Sequence, residues 1–148
     1  MKKFQFSLDS VLSFKQQALD ALRGEHAVIL SQVREQEEKL EAVENEYRDY
    51  NGEYRRRKSE GMTITDAMMY QSALRAAELE IQRETKRLEE LQAEAERRRE
   101  KMVEAKKETS SIEKLREKKL DAYHKEEAKN EELFIEEFVS STRAVHSA

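Results

Sequence analysis

Apolar residues recur along the first third of the chain at alternating steps of three and four. Counting from Leu8, one seam runs Leu8, Leu12, Lys15, Leu19, Leu22, His26, Ile29, Val33, Gln36, Leu40, Val43, Tyr47, Tyr50 and Tyr54. Eleven of these fourteen are apolar or aromatic. A seven-residue repeat held this long predicts a coiled-coil seam on a long helix. Gly24 and Gly52 fall on the outermost position of that helix, where they touch no packing. Ser7 is a candidate N-cap, Asp9 sits in the first turn, and Phe6 and Val11 stand at the staple positions around the cap.

The pattern stops at RRRKSEGMTITDAM, residues 55–68. Gly61 can end a helix, and Thr63-Ile-Thr-Asp66 is a capping-box pattern that starts another. A second seam follows: Ala67, Tyr70, Leu74, Ala77, Ile81, Glu84, Leu88, Leu91, Ala95, Arg98, Met102, Ala105, Thr109 and Ile112. Four of its fourteen positions are alanine, so it suits a partner with larger residues. The first seam is such a partner, and a short connection makes neighbouring helices antiparallel.

The sequence therefore predicts an all-α fold, two long helices in an antiparallel coiled-coil hairpin. It forms a single domain over 1–148, with helix one at about 7–58, a tip at 59–64, helix two at about 65–139 and a frayed tail at 140–148. Folding about Gly61 pairs positions whose numbers sum to about 122. Leu8 then faces roughly residue 114. Leu115, Leu120 and Tyr123 leave the register of Ile112, so the two-stranded part should end near residues 112–118, with helix two overhanging beyond it. At about 1.5 Å per residue the helices would span roughly 75 and 110 Å.

Composition fits this picture. Charged residues make up 41% of the chain, and it has three glycines and no proline, tryptophan or cysteine. An ordinary soluble domain carries about 25% charge, and a chain without proline loses no backbone donor along a helix. A net charge of −4 with interleaved signs argues against a dedicated nucleic-acid binder. No apolar run is long enough for a membrane span or a signal peptide, which points to a cytosolic protein.

No catalytic, cofactor or metal constellation is visible. Three scattered glycines build no phosphate loop, and His26, His124 and His146 lie far apart. His26, Lys15 and Gln36 read as polar seam residues that fix register. Glu136 and Glu137 read as a solvated face. Arg55, Arg56, Arg57 and Lys58 suit a helix C-terminus, or an acidic or lipid-headgroup partner. Two surfaces stand out as contact candidates. One is the group Tyr47, Tyr50, Tyr54 and Tyr70 near the tip, which fills the seam or anchors a partner. The other is NEELFIEEFV, residues 130–139, with Leu133, Phe134, Phe138 and Val139 on a charged helix. It packs on Phe4 and Phe6 or on nothing, or else docks in a partner groove or joins a second copy.

The N-terminal FQFSLDSVLSFKQQALD resembles the start of the flagellar FliJ family, and ENEYRDYNGEYRRR followed by GMTITDAMMYQSALRAAELEIQRE is similar to that family's helix end, tip and second helix. Glu113-Lys-Leu-Arg-Glu117 and Tyr123 fit as well. The resemblance implies a non-enzymatic stalk of the flagellar type III export apparatus. It implies insertion into the hexameric export ATPase, FliI, contact with the export-gate protein FlhA, and handling of export chaperones. It also implies a monomer when free, no nucleic acid or cofactor, and only indirect membrane association, at the cytoplasmic face of the inner membrane at the flagellar base.

By the Asp-Tyr-x-x-Glu-Tyr-Arg pattern the gate-binding patch maps onto Val43, Tyr47, Tyr50, Tyr54, Ala73 and Ala77. The alanines stand where the family has bulkier residues, and the heptad buries Tyr50 and Tyr54. ATPase-ring binding would fall at the terminal end: Phe4, Phe6, Leu120, Tyr123, Leu133, Phe134 and Phe138. The alternatives are the stalk of a virulence-type secretion system, a chaperone whose hairpins assemble around a groove, and a general scaffold built of parallel dimers.

Overall fold

In a computed structural model that describes residues 2–147, the chain forms helix α1, Asp9–Glu60, and helix α2, Ile64–Ser147. They pack against each other as a helical hairpin with the second arm longer, and no strand occurs among the described residues. Every position of both predicted seams is buried or half-buried. The heptad is thus the feature of the sequence that sets which face of each helix is covered.

The reversal is built as its residues dictate. Gly61 has φ 99°, a conformation open to glycine and strained for other residues. Its N–H bonds the Lys58 carbonyl at 3.4 Å. The Ser59 hydroxyl donates to the Arg56 carbonyl at 2.7 Å. Thr63 caps α2, its Oγ1 accepting the Asp66 N–H at 3.1 Å.

The chain divides into two compact units: 21–102, which carries the reversal, and the terminal residues up to 20 together with those from 103 onward. In the first unit the centre is Ile29, Val33, Leu91 and Ala95, with Leu88 packed against them. Large residues of α1 meet a small one of α2 here, as the alanine-rich second seam requires. The polar seam residues are matched rather than stranded. Gln36 donates to both the backbone carbonyl of Glu84, at 3.1 Å, and its carboxylate. Arg98 reaches the Glu25 carbonyl at 3.1 Å, a pair whose numbers sum to 123. No buried side-chain nitrogen or oxygen among the described residues lacks a partner.

The Gln36 amide, and after it the Lys39 ammonium, holds the Glu84 carboxyl below the usual carboxylate range. A lowered folded-state value stabilises the fold above the usual carboxylate range. That contribution is lost as pH falls through the lowered value. We therefore expect wild type to melt above Glu84→Gln at about pH 7, and the gap to close as pH falls below the usual carboxylate range and through the lowered value. Paired thermal melts across that range check this, and a gap independent of pH contradicts it.

The terminal unit corrects three expectations. First, α1 begins at Asp9, not Ser7; the Leu8 carbonyl accepts the first helical bond, from Leu12 at 2.8 Å. The chain enters through a turn in which the Asp9 N–H bonds the Phe6 carbonyl, and Phe6 is buried while Val11 stays exposed, so no staple forms. Second, α2 is still covered beyond residues 112–118. Residues 2–6 form no helix and run along α2, where Tyr123 donates to the Lys2 carbonyl at 2.7 Å. The Phe4 ring lies 5.5 Å from that of Tyr123, and Arg116 bonds Asp9 at 3.1 Å. A segment that forms no helix carries no heptad, so periodicity does not reveal it. Third, α2 does not end near Val139 in a frayed tail: residues 140–147 are helical, and Ala148 lies outside the described residues. No glycine or proline follows Gly61 to stop the helix, and Thr142 bonds the Phe138 carbonyl at 2.9 Å.

Candidate functional site

Near the reversal, Val43, Glu46, Tyr47 and Tyr50 of α1 and Ala73, Ala77 and Glu80 of α2 line one open groove of about 300 Å³. Its origin is the size mismatch across the seam. Residues 43, 47 and 50 keep their seam spacing, while Ala73 and Ala77 present only methyl groups opposite them. The groove therefore has aromatic walls, an alanine floor and two carboxylates, Glu46 and Glu80, among its lining residues. Tyr47 donates to Glu78 at 3.0 Å; that bond first, and then burial, pushes the phenol above its ordinary range.

Five of the six residues mapped to the gate patch thus meet at one place: Val43, Tyr47, Tyr50, Ala73 and Ala77. Tyr54 does not line the groove. It joins the site through Tyr70, which the mapping did not include. Tyr70 is buried, with its ring 4.9 Å from Tyr50 and 5.4 Å from Tyr54. Its hydroxyl accepts from Arg57 at 2.9 Å and donates to Glu53 at 3.1 Å. Gln71 donates to the Tyr54 hydroxyl at 3.2 Å. Tyr50 is thus the wall shared by groove and stack. The hub was detectable in principle, since Tyr70 lies on the second seam at a position that the fold about Gly61 sets against Tyr50 and Glu53.

The same contacts settle half of the basic cluster. Arg57 is engaged by Tyr70, whose oxygen holds the guanidinium proton more tightly than usual, and the Lys58 ammonium lies 5.8 Å from the Tyr54 ring centre. Arg55 and Arg56 are exposed.

At the terminal end the seven mapped residues fall into two groups. Phe6 is buried, Phe4 and Tyr123 pack ring against ring, and Leu120 is half-buried. Burial first, and then Glu127, pushes the Tyr123 phenol up. These four are structural partners of one another or of the seam. Leu133, Phe134 and Phe138 are exposed, the two rings by 69% and 65%. Of the alternatives for residues 130–139, packing on Phe4 does not occur, because Tyr123 takes up Phe4 a full two turns earlier.

No group of three or more His, Asp or Glu among the described residues could hold a metal ion, and no described helix is long and apolar enough to cross a membrane.

The family model described as flagellar FliJ protein matches residues 4–146. Comparison with curated proteins returns no match. Among solved structures, one described as a YscO homologue from Chlamydia trachomatis is similar at 19% identity, covering 98% of this chain and 98% of that one, with a TM-score of 0.48.

Proposed function

We propose, because the chain belongs to the flagellar FliJ family and so to the components of flagellar type III protein export, that it works as the coiled-coil stalk joining the export ATPase to the export gate. The terminal end enters the FliI hexamer and stimulates it. The tip engages FlhA at the cytoplasmic face of the inner membrane, and the hairpin surface receives export chaperones. The protein couples these partners by differential binding and carries out no chemistry of its own.

The observation that carries this reading is the tip groove. Tyr47 and Tyr50 are aromatic anchors held rigid by Glu78 and Tyr70, beside an alanine floor that leaves room for a partner's side chains. Such anchors bind at low entropic cost because they are already ordered. The reading is supported from the other end by the exposed rings of Phe134 and Phe138 on a helix that outlasts its partner.

The direct test is steady-state ATP hydrolysis by the purified export ATPase with and without the full-length chain. We expect stimulation by the full chain and its loss when the chain is truncated after residue 127, which leaves every seam residue in place. If the full chain neither stimulates the ATPase nor co-sediments with it, the stalk reading fails and a scaffold role replaces it.

A further inference from the structure

The face of α2 that packs inward in the terminal unit does not end where its cover ends. Ile112, Arg116, Leu120, Tyr123 and Glu127 are half-buried in succession, at steps of three and four. Continuing those steps gives Glu131, Phe134, Phe138, Ser141 and Val145, with Ile135 and Val139 alongside. These residues are exposed, Val145 by 75%. Tyr123, Glu127, Glu131, Phe134 and Ile135 line one continuous groove of about 740 Å³ together with Asn130. The overhang is therefore the hairpin's own seam, with α1 gone.

Its flanks are strongly one-signed. Residues 126–139 carry six glutamates, Glu126, Glu127, Glu131, Glu132, Glu136 and Glu137, and one lysine, Lys129. Elsewhere the chain displays how α2 glutamates beside this seam are met. In the terminal unit Lys15 of α1 bonds Glu108 at 2.8 Å, and in the other unit Lys39 of α1 lies 3.3 Å from Glu84. A second copy of the overhang would bring the same six glutamates against these, and like charges across a helix pair destabilise it.

We propose that the overhang is a docking site for an amphipathic helix of a partner protein that carries apolar residues at three- and four-residue spacing with lysine or arginine on its flanks, and that this helix takes the place along α2 which α1 vacates. Phe134 and Phe138 are the anchors, and Glu127 and Glu131 select the basic flank. The site rests on the stalk reading only for the identity of the partner, which would be the ATPase ring.

The probes are two three-heptad peptides, identical at their leucine seam positions, one flanked by lysine and one by glutamate. Each is titrated against the full-length chain by fluorescence anisotropy. The lysine peptide should bind at least about tenfold more tightly, the equivalent of a few exposed charge pairs, and the difference should shrink at high salt. A Phe134→Ser, Phe138→Ser chain should keep its helix content and melting temperature and lose the lysine peptide. Equal binding of both peptides, unchanged binding by the double variant, or a full-length chain that sediments as a dimer through this segment at neutral pH would each overturn the proposal. The ATPase assay separates the two ideas. Peptide selectivity without ring stimulation sinks the stalk reading alone, while a ring stimulated equally by the double variant sinks the docking site alone.

Discussion

Ile29→Ala should lower the stability of the hairpin by about 3 kcal/mol, more than any other single truncation in the seam. Among the described residues Ile29 is the most completely buried large side chain, at 2% exposure, and it sits in a cluster with the buried Val33, Leu91 and Ala95. Removing its outer carbons forfeits their transfer from water and leaves a cavity. Of the neighbours that would have to collapse into it, only Leu91 and Leu88 have flexible side chains; the others are a β-branched valine and an alanine. Neither of these two can reach, since valine's side chain is stiff and alanine's is a single methyl. For a chain of this size the loss corresponds to a fall in melting temperature of roughly 10 °C. Phe134→Ala is the matched control: a larger side chain is removed from an exposed face, and the change should stay within about 0.5 kcal/mol. Thermal melts followed by helical circular dichroism compare the two. If Ile29→Ala melts with wild type, the packed centre of residues 21–102 is not where the seam puts it.

That contrast also marks what the sequence could and could not convey. The seam was legible because a seven-residue repeat is stated many times over. A single polar intrusion such as Gln36 does not break it, and its partner Glu84 could be anticipated as the polar position of the facing seam. The turn was legible because glycine and threonine have specific local jobs, and Gly61 and Thr63 perform them. The N-terminal strap was not. Lys2 to Phe6 lie on α2 through the Tyr123 hydroxyl's bond to the Lys2 carbonyl and ring packing, neither of which has a period. It displaced the helix start from Ser7 to Asp9, since the turn that folds Phe6 inward uses the residues a longer helix would need. The far end of α2 was misjudged for the opposite reason. Residues 140–147 lack the seam's apolar rhythm, but continuing a helix needs only the absence of a stop.

Of the residues tied to the tip patch, the groove's existence followed from large facing small. Tyr70's place beside the tip tyrosines followed from the fold about Gly61, but its contacts did not: it stacks on two tyrosines from the other helix and binds Arg57 and Glu53 at once. Alone in the sequence it is one more seam aromatic. The heptad position of Tyr50 buries its ring only in part. Tyr50 is half-buried, one side of its ring toward Tyr70 and another bordering the groove.

The largest functional loss should come from this groove. Tyr47→Ala and Tyr50→Ala should each weaken binding of the export gate's cytoplasmic domain by about 30-fold, the equivalent of about 2 kcal/mol for an anchor residue. Truncation alone would be ambiguous, because Tyr50 also supports Tyr70 and its loss loosens the tip. Two further variants remove the ambiguity. Tyr70→Phe keeps the ring stack and deletes only the hydroxyl that links Arg57 to Glu53. It should disturb the tip while leaving the groove's lining intact, and gate binding should change by less than about threefold. Ala77→Met does the reverse, adding side chain to the groove floor without deleting any contact, and should weaken binding as much as the tyrosine truncations do. A surface that responds only to loss of stability would rank these variants by melting temperature. A docking groove fails both when its wall is removed and when its floor is filled, whatever the melting temperature does. Calorimetric titration of the gate domain against the four variants, with melts run in parallel, distinguishes the two rankings. Wild-type affinity in both Tyr47→Ala and Ala77→Met would mean that the gate docks elsewhere on the hairpin.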